Sequence, residues 1–230
     1  MLINCAIGER GAKDEVDDAL MSRIDLATIA CGGHAGDKES VSYYQELAQK
    51  HGVKTVAYLS YPKKEKLSKD VTSITHEELL GFLDEQAELF GPMQRVKLQG
   101  ELYNHANRSV ELAEQLALWL KNKDVKEVLT PYRSMLHKLC SDQGIAALYE
   151  AFADKKYTSM QLGLELSSQD QIGSEIKNID DIIRQVRKMK QGAVEINGQN
   201  FLIEAATICV DSSAPQVVET VDALVKVLNK

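Results

Sequence analysis

An alternation of two hydrophobic periods constrains this 230-residue chain more than any other feature. Short apolar runs recur at Leu2–Ile7, Ile24–Cys31, Lys54–Leu59, Arg95–Leu98, Glu127–Thr130, Gly144–Tyr149, Ala193–Ile196 and Ala205–Val210. Most are followed by a segment whose apolar residues recur at helical spacing. That alternation is the pattern of βα units and a parallel sheet. Seven or eight such units in 230 residues, with no repeat, low-complexity stretch or linker, predict a single domain over residues 1–230. A closed or nearly closed (β/α) barrel, shorter than the usual ~250 residues, fits best. A doubly wound open sheet is the alternative.

Helix starts are marked by polar residues that can satisfy the first free N–H groups. Asp37 precedes Lys38–His51, where Val41, Tyr44, Leu47 and Ala48 share a face. Thr75 and Glu78 form a capping box ahead of Leu79, Leu80, Leu83, Ala87 and Phe90. Glu111–Leu120 repeats Leu112, Leu116 and Leu120. Asn178 opens a stripe of Ile179, Ile182, Ile183, Val186 and Met189 that Gly192 can close. Ser213 and Gln216 read as a last capping box before Val217, Val221, Leu224 and Leu228. Tyr61–Thr75 and Gln161–Asn178 are polar and read as loops.

Composition narrows the partners. With 34 Asp+Glu against 27 Lys+Arg the net charge is −7, which argues against a nucleic-acid backbone as ligand. No apolar run reaches 18 residues and the N-terminus has no basic leader, so neither a membrane nor export is expected. Cys5, Cys31, Cys140 and Cys209 are scattered without a CxxC pair, as expected of reduced, buried thiols in the cytoplasm.

In parallel α/β proteins the chemistry lies at the C-terminal ends of the strands. Those ends carry Glu9, with Asn4 inside the strand; Gly32, Gly33, His34, Gly36 and Asp37; Tyr58 and Ser60; Lys97, Gln99, Tyr103 and Asn104; Asp154 and Lys155; and Asp211. The glycine segment permits close backbone approach, and the helix after it offers N–H groups to a carboxylate or phosphate. Alternatively it is a plain turn in which Asp37 only caps. His34 suits acid/base work near neutral pH. Lys97 sits where barrels are apolar, so it meets an anionic substrate, pairs with Glu9 or Asp154, or snorkels to the surface. His51, His76, His105 and His137 read as surface residues. There is no GxSxG, HExxH, GxGxxG or P-loop.

Several of these segments resemble the LamB/YcsF family in order along nearly the whole chain. Ile29 to Asp37 resembles its ACGxHAGD segment, and Asn4 to Glu9 its NADLGE. Val56 to Pro62 is similar to GAHPSFPD, Val96 to Asn104 to VKPHGALYN, and Glu150 to Tyr157 to EVFADRxY. Characterised members are A subunits of 5-oxoprolinase. The resemblance implies a distorted (β/α) TIM-like barrel related to polysaccharide deacetylases. It implies ATP-dependent opening of the 5-oxoproline lactam to glutamate, together with subunits B and C, ATP being bound here or on a partner. It makes Glu9, His34, Lys97 and Asp154 the candidate catalytic groups: Glu9 or Asp154 as base, His34 as acid/base, Lys97 as electrostatic stabiliser. Asn4, Gly33, Asp37, Tyr58, Gln99, Tyr103, Asn104, Lys155 and Asp211 are the candidate substrate contacts.

The chain departs from the family pattern at strand ends. Ala6 replaces an Asp, Tyr58 and Gln99 replace histidines, Leu59 replaces a Pro, Lys63 an Asp, and Lys155 an Arg. Asp211 stands where a histidine is usual. These changes leave a second expectation beside the enzyme: a non-catalytic paralogue that binds a small anionic metabolite or a partner subunit. The third expectation, a metal-dependent hydrolase, would use His34 and Asp37 as ligands.

Overall fold

Seven parallel strands close on themselves around a small interior. The structure is a computed structural model, and it describes residues 1–63, 74–160, 163–166 and 174–228. In chain order the strands are β1 (Leu2–Ile7), β2 (Leu26–Ala30), β3 (Lys54–Leu59), β4 (Arg95–Leu98), β5 (Glu127–Thr130), β6 (Ala146–Phe152), β7 (Tyr157–Met160), β8 (Gly163–Leu166), β9 (Ala193–Ile196), β10 (Gln199–Leu202) and β11 (Thr207–Val210). The helices are α1 (Glu15–Met21), α2 (Lys38–His51), α3 (His76–Phe90), α4 (Gly100–Arg108), α5 (Val110–Asn122), α6 (Met135–Asp142), α7 (Ile179–Lys190) and α8 (Val217–Val227). The barrel order is β1-β11-β6-β5-β4-β3-β2. The expected (β/α) barrel is therefore the fold, and it is closed.

Period-2 alternation sorts each strand into an outer and an inner face. Outward residues such as Ile3, Cys5, Ile29, Val96 and Ile208 join the main core beneath the helices. Inward residues Leu26, Val56 and Leu129, with Leu2 and Leu148, form a separate apolar plug. Two residues further along β1, β2, β3 and β6 the inner face changes character, to Asn4, Thr28, Tyr58 and Glu150. Lys97 pairs with Tyr58 in register and joins this polar layer. A barrel interior of this kind is filled, not a pore.

Three expectations change. The run Ala193–Ile196 is not a barrel strand: it pairs antiparallel with Gln199–Leu202 as a hairpin against α7. Asn197 (φ 50) and Gly198 (φ 79) supply the left-handed turn between its strands, which no apolar run can reveal. Within the polar stretch 161–178, Gly163–Leu166 is a strand paired with Tyr157–Met160, while 161–162 and 167–173 lie outside the described residues. Ser213 and Gln216 form no capping box: Ser213 turns both its N–H and its hydroxyl to Asp211, and α8 starts without a side-chain cap. Of the predicted loop 61–75, residues 64–73 also lie outside the described residues.

Candidate functional site

The deepest layer of the site is an ion pair inside the barrel. Lys97, from β4, is 2% exposed, and its Nζ lies 2.8 Å from Oε1 of Glu150, from β6. Snorkelling is excluded, and the partner is Glu150 rather than Glu9 or Asp154. Lys97 Nζ also donates to Asn4 Oδ1 at 3.4 Å and to Cys209 Sγ at 3.2 Å, and lies 5.0 Å from the centre of the Phe152 ring. Asn4 is held in turn, donating to Thr207 Oγ1 at 2.9 Å. Burial pulls the ammonium's pKa down. The charges of Cys209 and Tyr58, present once these ionise at high pH, and of Glu150 together outweigh it and hold Lys97 well above its ordinary value, so it stays charged. Burial pushes the Cys209 thiol up to about 12, so it is a neutral neighbour near pH 7. Tyr103, from α4, is buried against this layer, and burial together with Glu150 raises its pKa.

Above this floor lies the barrel mouth, where Glu9 follows β1. Gln99 is the N-cap of α4, yet its side chain caps nothing; it donates to Glu9 Oε1. Burial, and then Asp211, raise the Glu9 pKa, while His34 and Gln99 pull it down. His34, Gln99 and Asp211 thus all bear on the Glu9 carboxylate. Tyr58 lies between mouth and floor: after burial, both Lys97 and Glu9 perturb its hydroxyl.

The loop carrying Glu9 is braced by two residues that sequence reasoning missed. Asp17, buried in α1, accepts from Gly8 N at 2.8 Å and from the Arg10 guanidinium. Arg10 also bonds Asp14 at 2.9 Å and donates to the carbonyl of Ser212 at 3.1 Å, which ties the β1 loop to the β11 loop. Burial pushes Asp17 up to about 6.

The glycine loop is a rigid turn. Gly32 N donates to Ala35 O at 2.7 Å, and His34 N donates to Ser60 Oγ at 2.7 Å. Gln86, from α3, clamps Ser60 by accepting from its N–H at 3.0 Å and donating to its carbonyl at 2.9 Å. A Cβ on Gly33 would lie 2.2 Å from Ser60 Oγ, so the close approach is internal rather than toward a ligand. Asp37 accepts from Ser40 N at 2.8 Å while Ser40 Oγ accepts from Asp37 N, a closed capping box on α2. The capping box thus takes up the Asp37 and Ser40 N–H groups at the start of α2. His34 is exposed at the edge of the mouth. Among the described residues no group of three or more His, Cys, Asp or Glu side chains is arranged to hold a metal ion, and His34 and Asp37 do not form one.

The third cluster lies beside the mouth, after β6 and β11. Asp154 is 5% exposed, and its Oδ2 accepts from Asp211 N at 2.8 Å. Burial pushes Asp154 up to about 6. Lys155 bridges Asp211 at 2.7 Å and Glu175 at 2.9 Å. Burial would raise Asp211, but donation from Lys155 and Ser213 holds it below its ordinary value. Asn104 is exposed on α4 beyond these groups. His105 and His137 are half-buried rather than surface residues, bonded to the hydroxyls of Tyr61 (3.1 Å) and Tyr149 (3.0 Å).

A closed parallel barrel with its polar groups gathered at the C-terminal mouth places the chain in the class of (β/α)-barrel proteins. The LamB/YcsF family model matches residues 1–230, and the chain belongs to that family. Curated relatives include the 5-oxoprolinase A subunit of Bacillus mycoides (strain KBAB4), 31% identical over 231 residues, covering 94% of this chain and 90% of the relative. The 5-oxoprolinase A subunit of Carboxydothermus hydrogenoformans is 30% identical over 221 residues, covering 90% and 85%. Among solved structures, the lactam utilization protein of Thermus thermophilus superposes with a TM-score of 0.83 at 23% identity, covering 100% of this chain and 97% of that one. A GH18 chitinase from Pseudoalteromonas aurantia has a TM-score of 0.57 at 10% identity, covering 99% and 100%, a likeness of fold alone.

Proposed function

We propose that this chain is the barrel subunit of a 5-oxoprolinase-type enzyme, which positions a five-membered cyclic amide for hydrolysis to an open-chain amino acid. The observation that carries the reading is the half-buried Glu9 carboxylate at the barrel mouth, oriented by Gln99, within reach of the fields of His34 and Asp211, and above the layer that holds a charged lysine. A carboxylate whose pKa burial has raised is a competent base toward water. His34, exposed at the edge, exchanges protons with solvent and serves the departing nitrogen. Lys97, charged and paired with Glu150, favours the negative charge carried on the activated carbonyl oxygen above it. Tyr58, Gln99, Tyr103 and Asn104 shape the approach, with Asn4 fixing Lys97 from below. Asp154, Lys155 and Asp211 form the flank, and Gly33 and Asp37 set the position of His34.

ATP, the co-substrate of that reaction, would phosphorylate the lactam oxygen; water adds to that carbon, the C–N bond breaks as the nitrogen takes a proton, and the acyl phosphate left is hydrolysed to the open-chain carboxylate and phosphate. With Gly32 N, His34 N, Asp37 N and Ser40 N bonded internally, the glycine loop has few N–H groups left for the phosphates of ATP, and we assign ATP to partner subunits B and C. The four free, buried cysteines support a reducing, cytoplasmic setting. The test is release of glutamate from 5-oxo-L-proline with ATP in the presence of candidate B and C subunits. Turnover supports the reading, and none with a folded barrel refutes it.

One observation favours the second reading, a non-catalytic paralogue binding a small anion or a partner. Glu9, Asp37, Lys97 and Lys155 each already hold an internal partner. Calorimetric binding of 5-oxoproline by a chain that supports no turnover would select it.

A further inference from the structure

The inward face of β6 runs Leu148, Glu150, Phe152, because alternate residues of a strand share a face. Phe152 is the last of the three and stands one step above Glu150, at the barrel mouth. Its ring centre lies 5.0 Å from Lys97 Nζ, and the ring centre of Tyr58, on β3, lies 5.5 Å from the same atom. Lys97 is 2% exposed, whereas Phe152 and Tyr58 are half-buried. The interior below the two rings is filled by Lys97, Glu150, Asn4 and the apolar plug. The exposed part of each ring therefore faces the mouth. Ala6 is the inward residue two places beyond Asn4 on β1, and it too is half-buried.

The position of Phe152 is fixed from several sides. Its N–H donates to the Tyr157 hydroxyl at 2.8 Å, and its carbonyl accepts from Gln185 Nε2 at 3.1 Å. The Tyr103 ring meets the Phe152 ring edge to face, with centres 6.0 Å apart. The ammonium below is attracted to both rings. The mouth is thus polar at its rim, where Glu9, Gln99 and His34 stand, and apolar at its base. A charged group set on this base loses its water and meets no free counter-charge, since Lys97 is already paired with Glu150. Methylene groups leave water there favourably.

We propose that Phe152, with Ala6 and Tyr58, is the specificity-determining floor of the mouth, taking the methylene edge of a small saturated ring whose polar atoms face the rim. The proposal rests on the lactam-opening reading for the identity of that ring. In 5-oxoproline the two ring methylenes are neighbours, while the amide and the carboxylate occupy the other ring positions, so one edge is apolar and the rest polar. The floor holds the methylene edge alike before and during ring opening. It therefore contributes to binding and not to the chemical step. Lys97, closed off by the two rings, acts on the substrate through its field alone.

The test compares 5-oxo-L-proline with 4-hydroxy-5-oxo-L-proline, which carries a hydroxyl on that edge. The readouts are kcat and KM of the assembled A, B and C subunits, and calorimetry on the full chain. Wild type is expected to prefer 5-oxo-L-proline at least about tenfold, the low end for a misfit in an apolar pocket. Phe152→Gln gives the floor a polar side chain, and is expected to raise KM for 5-oxo-L-proline about tenfold with kcat within about threefold, and to shrink the preference. Phe152→Leu keeps an apolar contact and is expected to restore most of both. If Phe152→Gln does not fold, Ala6→Ser carries the test, with KM raised and the preference narrowed. Turnover with KM and preference unchanged in the folded variants, or a fall in kcat alone, overturns the floor and leaves the enzyme reading standing. Calorimetric binding that follows the pattern in a chain without turnover supports the floor and removes the enzyme reading. Neither binding nor turnover removes both.

Discussion

Lys97→Met removes a charge from a barrel interior that holds its counter-charge 2.8 Å away. The Met side chain fills similar volume, so packing changes little and the loss is electrostatic. Glu150 is left 2% exposed with no cation, and Asn4 Oδ1 and Cys209 Sγ lose their donor. Breaking a buried pair from one side costs about 3–5 kcal/mol, because the surviving charge must be neutralised or carried unpaired. In a chain of this size each kcal/mol moves the melting temperature by roughly 2–4 °C, so a fall of about 6–20 °C is expected. Replacing both partners, Lys97→Met with Glu150→Leu, leaves no orphan charge and is expected to restore most of the stability. The assay is urea unfolding of wild type, both single variants and the double. A coupling above ~2 kcal/mol is expected for contacting residues. Additive single losses, or a Lys97→Met chain as stable as wild type, would refute the claim that Lys97 is held by Glu150.

Other outcomes follow from the same geometry. Asp154, pushed up to about 6 from 3.8, binds its proton more tightly folded than unfolded. Stability therefore falls as pH rises from about 4 to 6, by up to about 3 kcal/mol at 1.36 kcal/mol per unit, and Asp154→Asn abolishes that part of the profile measured by denaturant titration. Gly33→Ala drives a Cβ to 2.2 Å from Ser60 Oγ and 2.5 Å from Gln86 Oε1, and is expected to cost about 1–3 kcal/mol in thermal melts. Gly36→Ala is worse, since its Cβ meets the Ala30 carbonyl at 2.1 Å and its φ is +85. Asp37→Ala loses the α2 cap and is expected to cost about 1 kcal/mol in thermal melts.

The barrel was legible because period-2 runs alternate with capped helical stripes, and local signals of that kind are written along the chain. Lys38–His51 and Lys54–Leu59 coincide with the observed α2 and β3. The outer hairpin β9–β10 was not legible as such, since an apolar run carries no mark of which edge it pairs with. The site was legible only as a set of strand ends. That Lys97 sits in a polar layer depends on register between strands, and its partner Glu150 falls just past the apolar run Gly144–Tyr149, whereas β6 continues through it to Phe152. Arg10 and Asp17 were invisible for a similar reason: an acidic residue in a short helix looks like a solvated face until the chain brings it under Gly8. Asp14 ahead of Glu15 is the one signal that marks α1, because its side chain caps Val16 and Asp17. The departures at Gln99 and Lys155 took on meaning with the geometry. Gln99 donates to Glu9, and Lys155 still bridges Asp211 and Glu175 although it lacks the planar fork of arginine.

The most direct measurement is glutamate release from 5-oxo-L-proline and ATP by the assembled A, B and C subunits, comparing wild type with Glu9→Gln. Glutamine keeps the size of the side chain and its place beside Gln99 but cannot take a proton. The account predicts turnover by wild type and a fall of kcat by about 10²–10⁴ in the variant, the range for removal of a general base, with the barrel's melting curve intact. Wild-type kcat retained by Glu9→Gln, or no glutamate from the assembled wild type, would contradict it.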